Sequence, residues 1–213
     1  MAHDIERRRV LQGLGAAALC LSTRPSRAAP KPEPKRLPVV ARARRTDVID
    51  ARGRIDRAKL GAMTRAAITR ATGDATLARA FQRRFGPSDV VGLKLSTLAG
   101  KGLSPHPELV AEIVALLKSA GVKEHNIVIW DRTDRELVQA GFTIQRRRSG
   151  VRCVGTNDDY DWMPREWGAG GSCFARLLTQ ELTALINVGV VKDHDLAGIS
   201  AGMKNWYAKG VKT

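Results

Sequence analysis

Residues 185–205 read LINVGVVKDHDLAGISAGMKN, an apolar run that ends abruptly in charged residues and then in glycines. The run from Leu185 to Val191 is too short for a membrane span and too continuous for a half-exposed strand. It therefore predicts a strand buried on both faces of a parallel sheet. Lys192, Asp193 and His194 follow directly. Ligands of open α/β sheets bind outside the carboxyl ends of the strands, so the triplet is predicted at such a site, with a solvated turn as the alternative.

The segment after this triplet is rich in small residues, which let a backbone approach a bound group closely. Gly198, Ser200 and Gly202 are therefore candidate cofactor-binding positions. If a helix starts at Ser200, its amino end directs positive charge toward the same pocket as His194. We then expect Lys204 one turn into that helix and close to His194. The alternative is a Lys204 that lies in water on the outer helix face.

Two earlier apolar runs also end in polar residues. Val90–Leu95 contains Lys94 and is followed by Ser96, and Ile127–Trp130 is followed by Asp131. Apolar residues at helical spacing lie between the two runs, and the order strand, helix, strand predicts a parallel βαβ unit. The polar side chains at these strand ends are expected at one edge of the sheet with the charged triplet, and Lys94 is expected to face solvent. The predicted fold class is α/β, a mainly parallel sheet with flanking helices in a Rossmann-like three-layer arrangement.

Caps and periodicity predict three more helices. The first begins after Asp56 and ends at Gly73, and the second carries apolar residues from Leu77 to Phe85. A capping box at Thr133–Glu136 opens the third. All three are interpreted as packing elements.

The region before residue 185 gives weaker signals. Val151–Val154 is predicted as a further strand, antiparallel or at an edge, and Cys173–Leu178 as a helix. Residues 155–172 lack periodicity and are predicted to form a long irregular loop, of the kind that often serves as a lid or binding loop. The run Arg146–Arg148 is interpreted as a solvated basic turn.

Residues 1–28 are predicted to be an export signal. Arg7, Arg8 and Arg9 precede a mildly apolar run and a small-residue cleavage site ending at Ala28. This order resembles a twin-arginine signal, with a basic amphipathic helix as the alternative. The expected partner is the twin-arginine translocase, and the mature protein is expected in the periplasm or outside the cell. A Pro-rich basic linker over residues 29–45 and an α/β domain over 46–213 are predicted to follow.

The mature chain is strongly basic. Five arginines and two acidic residues lie in the signal, which leaves 31 basic and 19 acidic residues and a net charge of +12. This charge favours anionic ligands, but few aromatics and no nucleic-acid motif accompany it, so nucleic-acid binding ranks below a solvated basic surface. Cys153 and Cys173 are too few for a disulfide scaffold, and either one disulfide or two buried thiols fits.

Five segments together resemble the domain-of-unknown-function 362 family in its exported twin-arginine subgroup: VVGLKLS (90–96), GKGLSPHPELV (100–110), IVIWDRTDRELVQAGF (127–142), ALINVGVVKDHDLAG (184–198) and MKNWY (203–207). The resemblance covers roughly residues 45–207. Members of that family usually carry Asn where Ser96 stands here. They also usually continue well beyond the MKN motif, which implies that this chain lacks a carboxyl-terminal part.

A second, local resemblance is to the nickel-pincer lactate racemase family, through the motif His194-x-x-Ala197-Gly198-x-Ser200-x-Gly202-x-Lys204. In that family the His serves catalysis and the Lys, ten residues on, anchors a nickel-pincer nucleotide. The resemblance implies a metal cofactor on Lys204, with His194 moving a proton or binding metal. Shared ancestry without shared activity is the alternative, and the cofactor itself is not predicted.

The function predicted from these patterns is an enzyme that depends on a cofactor or metal and acts on a small anionic substrate. His194 would be the acid or base, oriented by Asp131 or Asp193. The alternative is a protein that captures an anion or metal complex without turning it over. The predicted site comprises catalytic His194, Lys204 and Asp131; substrate-binding Lys94, Ser96, Lys192 and Asn205; and cofactor-binding Lys204, Gly198, Ser200 and Gly202.

Overall fold

The computed structural model describes residues 39–167, 170–195, 198–207 and 211–212. Four strands of this part of the chain form a parallel sheet: β1 (Val91–Leu95), β2 (Ile127–Asp131), β3 (Arg152–Gly155) and β6 (Ala184–Val188). Their order across the sheet is β3-β2-β1-β6, and every neighbouring pair is parallel. The predicted α/β fold class is therefore confirmed.

The helices are α1 (Arg57–Thr72), α2 (Leu77–Gln82), α3 (Pro107–Ser119), α4 (Asp134–Gln139) and the single turn α5 (Lys204–Tyr207). As predicted, the Asp56 side chain caps α1 by accepting from Lys59 N, and Gly73 ends that helix with a φ of 68°. Thr133 caps α4 through the amide of Glu136. Only half of the predicted capping box forms, because the Glu136 carboxylate pairs with Arg132 instead.

Side chains alternate between the two faces of the sheet, and each face has its own core. One face carries Val91, Leu93 and Leu95, which pack with apolar residues of α2, α3 and α4 in the larger core. The other face carries Val128 and Trp130 and is covered by Ala175, Leu177 and part-buried neighbours such as Trp206. Long helices thus cover only the first face, and the second is covered by irregular chain and short turns.

The strand predicted from residue 185 is shorter than expected and is not buried on both faces. It runs from Ala184 to Val188, and Leu185 is 40% exposed while Val188 is 7% exposed. The physical reason is that Ala184, Ile186 and Val188 pack in the larger core. Leu185 lies on the other face, which has no long helix, and β6 is at an end of the strand order with a neighbour on one side only. Val191, 71% exposed, lies beyond the strand.

The irregular loop predicted over 155–172 and the helix predicted over 173–178 are both partly wrong. An antiparallel pair lies within this region, formed by β4 (Arg165–Trp167) and β5 (Gly170–Phe174), and β9 (Val211–Lys212) pairs with β5. A π-helical turn follows at Leu177–Glu181. Gly-rich strands lack the apolar alternation that reveals a strand, which explains the error. The strand at 152–155 lies at an edge, as predicted, but is parallel.

No helix among the described residues has the length and apolar character needed to cross a bilayer.

Gly155, the last residue of β3, is predicted to tolerate no side chain. A Cβ there would lie 2.2 Å from Asp134 N and 2.4 Å from Thr133 C, and these backbone atoms cannot rotate away. Gly155→Ala should therefore lower the free energy of unfolding by about 1–3 kcal/mol or more, as overpacking does. Gly189→Ala is the matched control, because its Cβ would meet nothing within 4 Å. Chemical denaturation measures both, and equal stabilities would contradict the close packing of α4 on β3.

Candidate functional site

Lys94 lies in the middle of the candidate site and is fully buried, so the expectation that it faces solvent is wrong. Its Nζ donates to Asp131 Oδ1 at 2.8 Å, to Leu95 O at 2.7 Å and to Asn205 Oδ1 at 3.2 Å. The ammonium also lies 5.3 Å from the Trp130 ring centroid, within cation–π range. An ammonium has three N–H donors, and these protein acceptors use that capacity. The geometry therefore favours a positioning role for Lys94 over direct ligand contact.

Asp131 ends β2 and is also fully buried. Besides Lys94, its Oδ1 accepts from Arg132 N at 2.8 Å. Its Oδ2 accepts from Thr97 N at 2.6 Å and from the Thr97 hydroxyl at 2.5 Å. A buried carboxylate needs such donors because burial removes its hydration. The sequence prediction that Lys94 and Asp131 lie together at adjacent strand ends is confirmed, and their pairing excludes Asp131 as a solvent-facing acid.

Asn205 connects this buried pair to the carboxyl-terminal segment. Its side chain is 4% exposed, accepts from Lys94 Nζ and donates to Asn187 Oδ1 at 2.7 Å. Asn187, in β6, in turn donates to Gly202 O at 2.7 Å. Asn205 was predicted to bind substrate, but its oxygen and nitrogen both face protein groups. These hydrogen bonds hold residues 200–207 against the sheet.

The triplet Lys192–His194 forms its own short strand, β7, which pairs with β8 (Gly198–Ser200) as an antiparallel hairpin. Lys192 and His194 share one face of this hairpin with Ser200, and that face is half-buried to buried. Asp193 points to the opposite, exposed face. Lys192 Nζ donates to Leu103 O at 3.1 Å, so the hairpin contacts the loop that follows β1. Lys192 and His194 are therefore directed toward the body of the domain, near the carboxyl edge of the sheet.

The remaining predicted residues are spread along the same segment. His194 pairs with Gly198 beside the turn of the hairpin, whereas Ser200 is at its base. Lys204 is the first residue of α5, so the prediction that a helix starts at Ser200 with Lys204 one turn inside it is wrong. A single helical turn also offers too few aligned dipoles for the expected anion site. That His194 and Lys204 share one ligand stays a prediction.

Sequence reasoning missed Thr97 and named Ser96 instead. Both directly follow β1 and both are buried, at 0% and 6% exposure. Thr97 supplies two donors to Asp131, whereas the Ser96 hydroxyl makes no hydrogen bond within the described residues. The available signal was the position of Asp131 directly after a buried strand, where a carboxylate requires donors from the neighbouring strand end.

The described residues do not form a metal centre of their own. In the ranges that the structure covers, no three His, Cys, Asp or Glu side chains converge in a way that could hold an ion. Within these ranges the donor set does not fit a metal held by protein ligands alone, and metal dependence stays a prediction from the racemase resemblance. Cys153 and Cys173 are both free thiols. Burial, followed by the charge of Asp134, raises the pKa of Cys153 to about 12, which makes this thiol unreactive near neutral pH.

The fold and the site define an α/β protein with a parallel sheet and a buried polar network at its carboxyl edge. The model of the family described as domain of unknown function (DUF362) matches residues 91–211, more than half of the chain, and the chain belongs to this family. The matched segment contains all four strands of the parallel sheet and every member of the network. Searches of curated proteins and of solved structures give no match.

Replacing Lys94 by methionine should strongly destabilise the protein. The change leaves the Asp131 carboxylate buried without its cation, and breaking a buried ion pair in this way costs about 3–5 kcal/mol. The double variant Lys94→Met/Asp131→Leu should lose less than the sum of the single losses, because no unpaired charge remains. Lys123→Met, at an exposed lysine, is the control. Denaturant titration of wild type, Lys94→Met, Asp131→Leu, the double variant and Lys123→Met measures these losses, and additive losses would mean that the pair is not coupled.

Proposed function

We propose that this protein is an enzyme that binds a small anionic substrate at the carboxyl edge of its parallel sheet. The observation that carries the proposal is the fully buried Lys94–Asp131 pair, which lies where α/β sheets bind ligands. Apolar residues of similar volume would often give equal or greater stability than a buried ion pair. Stability alone therefore does not account for a charged pair at this position, whereas a site that must be held rigid and polar does.

In this proposal the hairpin supplies the groups that meet the ligand. Lys192 and His194 lie on its inward face, and Lys192 is already held against the loop after β1. The Lys192 ammonium would attract the anion, and the His194 imidazole would transfer a proton, because one ring nitrogen can accept a proton while the other donates. Lys94, Asp131 and Asn205 would act as positioning residues. They fix the end of β1 and the 200–207 segment relative to each other.

The proposal is tested with protein purified from its own host. Mass spectrometry and metal analysis would identify any bound molecule or ion, and that molecule would then be used in binding and turnover assays. We expect His194→Ala and Lys204→Ala each to weaken binding or turnover, and the double variant to be strongly non-additive because both residues share one ligand. Lys123→Ala should change nothing.

Three results distinguish the possibilities. Binding that survives in wild type without any turnover supports the alternative, a protein that captures an anion or metal complex. Additive effects of His194→Ala and Lys204→Ala would show that the spacing shared with the racemase motif has no functional meaning here. Identical ligand content in all variants would refute a site on the hairpin.

We also propose that the protein is exported in folded form by the twin-arginine translocase to the periplasm or beyond. The support is the order of Arg7–Arg9, a mildly apolar run and a small-residue cleavage site. Replacing the three arginines with lysine keeps the charge and the hydropathy but removes the paired arginines. The precursor should then accumulate inside the cell, as fractionation and immunoblotting would show. Undiminished export of this variant would contradict twin-arginine recognition.

A further inference from the structure

A cavity separate from the hairpin runs along β3, from Arg152 at the amino end of the strand to the residues that follow its carboxyl end. Its volume is about 520 Å³, which lies in the range of small-molecule sites. Its walls include Arg146, Arg152, Thr156, Asn157 and Glu181. Thr156 N donates to Asp131 O at 3.0 Å, and Asn157 N donates to Arg132 O at 2.7 Å. The cavity therefore shares its backbone with the strand end that carries the Lys94–Asp131 pair.

Arg152 is the buried charge of this cavity, and its hydrogen bonding is incomplete. Its side chain is only 8% exposed, and Nη2 donates to Glu181 Oε2 at 2.6 Å. Its Nε–H is buried and reaches no acceptor in the part of the chain that the structure describes. A buried donor of a guanidinium is costly to leave unpaired, and native structures usually satisfy such groups with protein, water or ligand.

The acidic residues of the cavity lie nearer to solvent than Arg152 does. Glu181, 33% exposed, is shared by Arg152 and Arg148, so two cations compete for one carboxylate. Asp159, 63% exposed, pairs with Arg176, and Asp158 is exposed at the surface. The most buried charge of the cavity is thus the Arg152 guanidinium, and the carboxylates lie nearer to solvent, which favours an anion beside Arg152.

Arg146 is placed to provide a second contact. Its side chain is 58% exposed and pairs with Asp134. Burial tends to raise the pKa of Asp134, but donors from Gly155 N, Arg146 and Asn157 outweigh it and lower that pKa, so the carboxylate stays charged. Because Asp134 has Gly155 N and Asn157 Nδ2 as further donors, Arg146 can turn toward a ligand without leaving this acid unpaired.

We propose that this cavity is an oxyanion-binding subsite in which Arg152 and Arg146 hold a phosphate or carboxylate group. Guanidinium groups match both oxyanions through paired N–H donors. The subsite goes beyond the function proposed for the hairpin and does not depend on Lys192 or His194. In this proposal the turn at residues 146–148, which the sequence pattern indicated to be solvated, contributes Arg146 to ligand binding.

Calorimetric titration with inorganic phosphate and with acetate, at constant ionic strength in chloride, tests the subsite. Wild type should bind at least one of the two saturably. Arg146→Gln should weaken that binding about tenfold, the effect of losing one charge-assisted hydrogen bond. Arg147→Gln is the matched control, because Arg147 is an exposed arginine of the same turn that does not line the cavity. Glu181→Gln should tighten binding several-fold, because it releases Nη2 of Arg152.

Arg152→Gln should abolish binding, and if this variant fails to fold, the Arg146 and Glu181 variants still decide the question. Anion binding that is lost in Lys192→Met but kept in Arg146→Gln would show that the anion binds at the hairpin and would overturn the subsite. Absence of saturable binding of both anions would overturn the proposal. So would equal losses in Arg146→Gln and Arg147→Gln, because they would show a diffuse charge effect, or weaker binding in Glu181→Gln.

Discussion

The buried ion pair between Lys94 and Asp131 constrains everything around it. Removing each charge from water costs several kcal/mol, and their attraction offsets this only where further hydrogen bonds complete both groups. The required donors and acceptors come from Leu95 and Thr97 at the end of β1, from Arg132 after β2 and from Asn205. The ends of β1 and β2 and the 200–207 segment must therefore keep one arrangement for the pair to be tolerated.

The two faces of the sheet differ in character: one packs against the helices in the large apolar core, and the other carries the buried Lys94. In β1, Leu93 and Leu95 point into the large core beneath the helices, and Lys94 between them points to the opposite face. The same alternation in β2 directs Trp130 toward Lys94, where the ring contributes both apolar cover and a cation–π contact. A polar network so close to a core is sustainable because the helical face supplies the apolar burial that stabilises the domain.

The local sequence pattern was enough to predict the β1-α3-β2 unit, because the apolar residues that indicate a buried strand or a helix lie close together in sequence. It also placed Lys94 and Asp131 at one edge, since parallel strands end on the same side. It could not show that Lys94 is buried, because Asn205, which covers it, is 111 residues away. The edge position of β6 likewise depends on strand order, which no local window contains. The β4-β5 pair escaped prediction because its residues, Gly170 and Gly171 among them, carry no apolar alternation.

The link between Lys94 and Asn205 has a kinetic consequence. Contacts between residues far apart in sequence form slowly, because loop closure must precede any gain from the contact. During synthesis from the amino terminus, β1 and β2 emerge well before Asn205, and the charged pair they carry then lacks one of its partners. Completion of the native state therefore waits for the far end of the matched segment. In a chain that stops short of Asn205, the Lys94 ammonium would lack one hydrogen-bond partner and the neighbouring core would be incompletely packed. Such a product would be a target for proteolysis.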